Sequence, residues 1–168
     1  LLCPLSNLIM GETAENLVTK YNISRREQDE FAATSQNKCE QARKANRFKE
    51  EIVPVTAKDA KGKPVVIDQD ENPRDGVTAE SLAKLQPVFK RSDSPAKSGI
   101  NSVPPQAGKN GSVHPGNSCG IADSAAAVLM MSEEKAQELG YKPLSYVTGY
   151  SIAGVDPAYM GIAPVPAI

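Results

Sequence analysis

The sequence predicts an α/β fold, and three observations carry that prediction. Capping signals and helical spacing mark two helices within the first 46 residues; two β-branched runs, at 51–56 and 65–67, flank a turn; and helical and strand-like segments alternate again over 123–152. With 168 residues, 40% of them hydrophobic, the chain is long enough for one ordinary domain with a sizeable core.

The first helix is predicted over 13–20, with Ala14, Leu17 and Val18 on one face and Glu12 and Glu15 near its positive end. It stops at Tyr21-Asn22. Ser24 followed by Glu27 reads as a capping box, and the helix it opens runs to Ala45-Asn46 with Phe31, Ala32, Ser35, Cys39 and Ala42 on its apolar stripe. Ile52, Val53 and Val55, then Val65-Val66-Ile67 after the turn Lys61-Gly62-Lys63-Pro64, predict two short strands paired as a hairpin. Thr78 caps a short helix over 78–85 that buries Leu82 and Leu85 and stops at Pro87. Residues 91–111 are rich in Ser, Lys, Pro and Gly and read as an exposed loop. A helix over 123–131, a second over 133–139 between the Ser132 cap and Gly140, and a strand over 144–152 complete the expectation.

Composition narrows the class of function. A formal charge of −1 from 19 basic and 20 acidic residues argues against nucleic acid or an anionic membrane as the main partner. No apolar run reaches the ~20 residues of a membrane span, and the N-terminal residues lack the flank of a signal peptide. Cys3, Cys39 and Cys119 are odd in number and far apart, which fits reduced thiols and a cytoplasmic setting, with an organelle left open. His114 is the single histidine, so a His-based metal site or a Ser-His-Asp triad would have to be built around it alone.

Several short motifs fail on their own terms. Asp68-x-Asp70-x-Asn72 opens like a calcium loop, but Pro73 replaces the required glycine and Ala79 the closing glutamate, so no metal site is expected. Ala107-Gly108-Lys109 ends like a phosphate loop, yet Asn110 follows it and Val103 stands where the first glycine belongs. Ser132-x-x-Lys135 is a helix cap rather than a nucleophile motif, because its companion motifs are missing. The most informative stretch is the turn around Gly116-Asn117-Ser118-Cys119-Gly120, which runs into the small residues Ala125, Ala126 and Ala127 and suits an extended polar ligand. Cys119, just before a predicted helix and five residues from His114, is either a reactive thiol or a space-filler in a tight turn.

Seven blocks, in order, resemble the thiolase family. They are Met10-Gly11-Glu12-Thr13-Ala14-Glu15-Asn16; Ser24-Arg25-Arg26-Glu27-Gln28-Asp29-Glu30-Phe31-Ala32; Ser35-Gln36-Asn37-Lys38; Arg47-Phe48-Lys49-x-Glu51-Ile52-Val53-Pro54-Val55; Leu82-Ala83-Lys84-Leu85-x-Pro87-x-Phe89; Gly116-Asn117 with Asp123-x-Ala125-Ala126-Ala127; and Gly154-Val155-Asp156-Pro157 with Met160-Gly161-x-x-Pro164. The resemblance implies acyl transfer between coenzyme A and an acyl-CoA through an acyl-cysteine, which needs a cysteine nucleophile, an activating histidine, a second cysteine and oxyanion holes. None of the family's blocks for those groups is present, so no catalytic residue is expected in this chain.

The chain therefore resembles the middle of a thiolase: the inserted α+β loop domain over 1–121, a returning helical part of the N-terminal domain over 122–142, and the start of the C-terminal domain over 143–168. By that resemblance the loop domain covers coenzyme A and contributes to a homodimer or homotetramer, with coenzyme A and acyl-CoA as substrates and no prosthetic group. Met10 and the turn residues Gly116, Asn117 and Cys119 would lie along the pantetheine, Arg74 and Ser81 would contact the nucleotide end, and Met160 would border the acyl pocket. The alternatives are packing for Met10 and Met160, a surface ion pair for Arg74 and a helical-turn role for Ser81. Cys119 stands where the family carries a pantetheine-contacting serine, and a thiol is the weaker hydrogen-bond partner. Three readings follow: a segment of an acetyl-CoA acetyltransferase or 3-ketoacyl-CoA thiolase, a truncated thiolase-like CoA-binding or scaffold protein, and an independent cysteine enzyme using Cys119 and His114.

Overall fold

The computed structural model describes residues 2–89 and 111–168. The loop expected over 91–111, except Gly111, and the Gly108-Lys109 motif lie outside the described residues. Strands β1 (Leu2–Cys3) and β2 (Leu8–Ile9) form a small antiparallel pair, and the chain passes directly into helix α1 (Met10–Tyr21). This start is three residues earlier than expected, because the Glu12 carboxylate accepts from the Ile9 amide at 3.0 Å and satisfies the helix entrance without a capping side chain at Ile9. Asn22, with φ 53°, closes α1 in the left-handed region.

Helix α2 (Arg25–Lys44) opens on the expected capping box. Ser24 Oγ accepts from the Glu27 amide at 3.2 Å, and Glu27 accepts from the Ser24 amide at 2.7 Å. The inward face of α2 keeps part of the expected stripe, with Ala32, Cys39 and Ala42 half-buried, and departs from it elsewhere. Phe31 is 78% exposed, whereas Asp29 and Ala33 are buried and Arg25, Gln36, Glu40 and Arg43 are half-buried. A helix face that binds neighbouring loops by hydrogen bonds is polar, so its hydrophobicity does not reveal it.

Strands β3 (Val55–Lys58) and β4 (Pro64–Ile67) pair as the expected hairpin, with Val55 opposite Ile67 and Lys58 opposite Pro64, but the first strand begins at Val55 and leaves Ile52 and Val53 outside it. Asp59 Oδ1 accepts from the Lys61 and Lys63 amides, and Gly62 supplies the positive φ of 78° that the loop requires. Helix α3 (Ala79–Ala83) starts at the Thr78 cap and buries Leu82, while Leu85 remains 40% exposed. Helix α4 (Glu133–Glu138) follows the Ser132 cap and ends in a Schellman motif: Tyr141 N–H donates to Ala136, Gly140 N–H to Gln137, and Gly140 has φ 70°. A 3₁₀ turn (Pro157–Ile162) and a short helix α5 (Pro164–Ala167) end the chain, and the 3₁₀ turn packs on α1. There Asn16 Nδ2 donates to the Ala158 carbonyl at 2.9 Å, and Gly161 lies against Leu17.

Two expected elements are absent. Residues 123–131 form no helix and 144–152 form no strand, and nearly all of these side chains are exposed. A nine-residue helix with no packed face does not repay its nucleation cost. A strand exists through a partner's hydrogen bonds, and among the described residues the β1–β2 and β3–β4 sheets pair only within themselves.

Candidate functional site

The site is built on one face of α2. Arg25, Asp29, Gln36, Glu40 and Arg43 stand at helical spacings of 4, 7, 4 and 3 residues, which places them within one narrow stripe. Each reaches a different passing segment. Gln36 Oε1 accepts from the Arg74 amide at 2.9 Å, Glu40 Oε2 from the Gly76 amide at 2.8 Å, and Arg43 pairs with Asp75 at 2.9 Å. Arg25 donates through Nη2 to the carbonyls of Leu82 and Leu85, both at 2.9 Å, and through Nε to Asp29 Oδ2 at 2.8 Å. One helix face thus fixes the 74–76 loop and the end of α3.

The same face fixes the 112–118 segment. Asp29 Oδ1 lies 2.8 Å from His114 Nε2 and accepts from Asn117 Nδ2 at 3.2 Å. His114 Nδ1 accepts the Gly116 amide at 3.0 Å, so the proton sits on Nε2 and points at the carboxylate. Asn117 Oδ1 accepts from the His114 amide at 2.8 Å, while its Nδ2 also donates to the Ser112 carbonyl at 3.1 Å. From α1, the buried Glu15 carboxylate accepts from the Ser112 and Val113 amides at 2.5 and 2.7 Å. Gly116 packs against α3: a Cβ there would meet Leu82 and Leu85 side-chain carbons at 2.6 and 2.7 Å.

The residues singled out from sequence fall into three places. Arg74, Ser81, Gly116 and Asn117 are gathered by α2, Arg74 through its amide and the others through α3 and the turn. The Ser81 hydroxyl is engaged in the α3 cap, accepting from the Thr78 amide and donating to the Thr78 carbonyl, and the Asn117 carboxamide faces inward. Cys119 follows the turn and is exposed. Met10 begins α1, and Met160 sits on the 3₁₀ turn packed against that helix. Sequence reasoning missed Arg25, Asp29, Gln36, Glu40 and Arg43 as a group, although their helical spacing was there to be read.

The pairing of Cys119 with His114 is ruled out by geometry. His114 is fully buried and both of its ring nitrogens are engaged, by Asp29 and by the Gly116 amide. The Cys3 thiol is held below its ordinary value by the Ser6 hydroxyl, then by the Ser6 and Leu5 amides. A cavity of about 370 Å³ lies against the C-terminal end of α2, lined by Cys39, Arg43, Lys44, Phe48, Asp70 and Asp75 among others. Among the described residues no group of three or more His, Cys, Asp or Glu side chains is placed to hold a metal ion, and no helix is long and apolar enough to cross a membrane.

The N-terminal domain model of thiolase matches residues 1–134. An acetyl-CoA acetyltransferase of Allochromatium vinosum is 48% identical over 162 residues, which are 96% of this chain and 36% of that protein. A probable acetyl-CoA acyltransferase of Staphylococcus aureus is 46% identical over 159 residues, 95% of this chain and 36% of the relative. Among solved structures, the Bacillus anthracis acetyl-CoA acetyltransferase superposes with a TM-score of 0.76 at 43% identity, covering 99% of this chain and 38% of that one. The human mitochondrial 3-ketoacyl-CoA thiolase gives 0.74 at 38% identity, covering 96% and 36%. The chain spans about 36% of the length of the curated relatives it matches.

Proposed function

Because the chain belongs to the thiolase family, we propose that it is a segment of an acetyl-CoA acetyltransferase or 3-ketoacyl-CoA thiolase that supplies coenzyme A-binding and assembly surfaces. The observation that carries this reading is the gathering of the 74–76 loop, α3 and the 112–118 turn on the single polar face of α2. These are the segments in which family resemblance puts the nucleotide and pantetheine contacts.

In this reading Arg74 and Ser81 meet the nucleotide end of coenzyme A. Gly116 and Asn117 shape the turn along the pantetheine, Met10 and Cys119 border it, and Met160 edges the acyl pocket. Residues 1–121 are the loop domain, 122–142 belong to the N-terminal domain and 143–168 begin the C-terminal domain. Nucleophile, activating histidine and oxyanion holes are supplied by parts of the thiolase outside this chain, with a reducing, cytoplasmic setting in keeping with the free Cys3, Cys39 and Cys119. Assembly into a homodimer or homotetramer is supported by the exposed apolar side chains of the hairpin, Val55, Val65, Val66 and Ile67, since an isolated two-stranded hairpin is marginal in water.

Calorimetry with coenzyme A tests the binding role. The chain is expected to bind coenzyme A and to lose affinity on Arg74→Ala, with no thiolysis of acetoacetyl-CoA by the chain alone. Turnover above background would overturn the placement of the chemistry elsewhere, and absence of binding would overturn the coenzyme A role.

A further inference from the structure

His114 has no assigned contact with coenzyme A, yet it occupies the centre of the turn proposed to receive it. The side chain is fully buried, on an axis that runs from the polar face of α2 to the Gly116 amide. We propose that His114 is a positioning residue: held as its Nε2–H tautomer by Asp29, it fixes the Gly116 amide and so the shape of the turn that takes the pantetheine arm. This inference rests on the coenzyme A reading above.

Hydrogen-bond valence carries the argument. A carboxylate only accepts and a backbone amide only donates, so an imidazole between Asp29 and Gly116 has one self-consistent neutral arrangement. Asp29 divides its two oxygens: Oδ1 takes His114 and Asn117, and Oδ2 takes Arg25. The turn is then pinned three times within four residues, by Gly116 N–H on His114 Nδ1, by His114 N–H on Asn117 Oδ1 and by Asn117 N–H on the His114 carbonyl. A fourth bond, from Ser118 Oγ to the His114 carbonyl at 2.9 Å, carries the constraint to the residue before Cys119. An apolar side chain of similar volume at 114 would fill the space and leave the Gly116 amide without its acceptor.

The test separates a pantetheine defect from a general loss of structure. Calorimetry with coenzyme A and with adenosine 3′,5′-bisphosphate, which lacks the pantetheine arm, is run on the unaltered chain, His114→Leu and His114→Asn. His114→Leu is expected to lose about tenfold in affinity for coenzyme A while keeping its affinity for the bisphosphate within about twofold. His114→Asn, whose Oδ1 can still accept the Gly116 amide, is expected to recover most of that loss. In the unaltered chain, ¹H–¹⁵N spectra of the imidazole should show a proton on Nε2 and none on Nδ1, a readout that survives if the leucine variant fails to fold. A proton on Nδ1, an unchanged coenzyme A affinity in His114→Leu, or parallel losses for both ligands would each overturn the positioning role. An unaltered chain that binds no coenzyme A would instead bring down the coenzyme A reading, and this role with it.

Discussion

Asp29 and His114 stand 85 residues apart in the chain, and their buried side chains meet at 2.8 Å. Asp29 is only 2% exposed, and its second oxygen is met by Arg25 one helical turn earlier. A buried carboxylate is tolerated only when its lone pairs are taken, and here three donors take them.

The first prediction concerns Arg25. Arg25→Met keeps the aliphatic stem but strips a charged partner from Asp29 and a donor from the carbonyls of Leu82 and Leu85. Urea unfolding should show a loss of about 2–3 kcal/mol, the scale of hydrogen bonds to a charged group that leave a buried partner exposed to mispairing. Arg25→Lys should rescue little, since one ammonium cannot reproduce a planar fork that serves Asp29 through Nε and two carbonyls through Nη2.

How much of this was legible in the sequence follows from the kind of force that holds each element. The α2 entrance at Ser24 and Glu27, the hairpin around Gly62 and the stop at Gly140 were readable because caps and turns are local chemistry. The stripe of α2 is legible only in part: Ala32, Cys39 and Ala42 turn inward, but Phe31 looks like a core residue and is exposed, while the side chains that bind neighbouring segments are polar and their partners lie 32 to 88 residues away. The segments 123–131 and 144–152 were misread because propensity alone was asked to supply an element that needs a packed or hydrogen-bonded neighbour. His114 was noticed for its rarity, but nothing local to it announces Asp29.

The second prediction is an acid limb of stability. Glu27 is held below its ordinary value of 4.5 by the Ser24 hydroxyl and amide, Glu40 mainly by the Gly76 amide with help from Lys44, and Glu80 and Glu134 chiefly by backbone amides at their helix entrances. A carboxylate whose folded pKa is depressed contributes stability that is complete above the unfolded value and is lost as pH falls through the folded one. The urea midpoint should therefore hold above about pH 5 and fall progressively below 4.5. Glu40→Gln should lower the plateau and flatten that limb, and a variant with an unchanged limb would deny Glu40 its part in holding the 74–76 loop.

The third prediction separates the thiols. Cys3 is expected to alkylate with a rate–pH midpoint below 9.0, because the Ser6 hydroxyl and the Ser6 and Leu5 amides favour its thiolate. Ser6→Ala should move that midpoint upward. Cys119 is exposed, and the His114 imidazole is engaged at both nitrogens, so the thiol should alkylate at the same rate in the unaltered chain and in His114→Asn. Peptide-resolved mass spectrometry after iodoacetamide treatment reads all of these sites in one experiment, and a Cys119 rate that falls in His114→Asn would restore the discarded dyad.

The fourth prediction is Gly116→Ala. The added Cβ would lie 2.6 Å from a Leu82 methyl, 2.7 Å from a Leu85 methyl and 3.0 Å from His114 Cε1, all closer than ordinary contact. Leu82 is buried and has no room to turn its methyl aside, and the imidazole is held at both nitrogens, so the overlap is relieved by a shift of α3 rather than of the turn. Overpacking of this kind costs about 1–3 kcal/mol. Because Ser81 belongs to α3 and the Arg25 bonds to Leu82 and Leu85 hold that helix in place, the variant should weaken adenosine 3′,5′-bisphosphate as well as coenzyme A. The bisphosphate separates this pattern from the one expected for His114→Leu, so the two substitutions in one turn distinguish movement of α3 from release of the Gly116 amide.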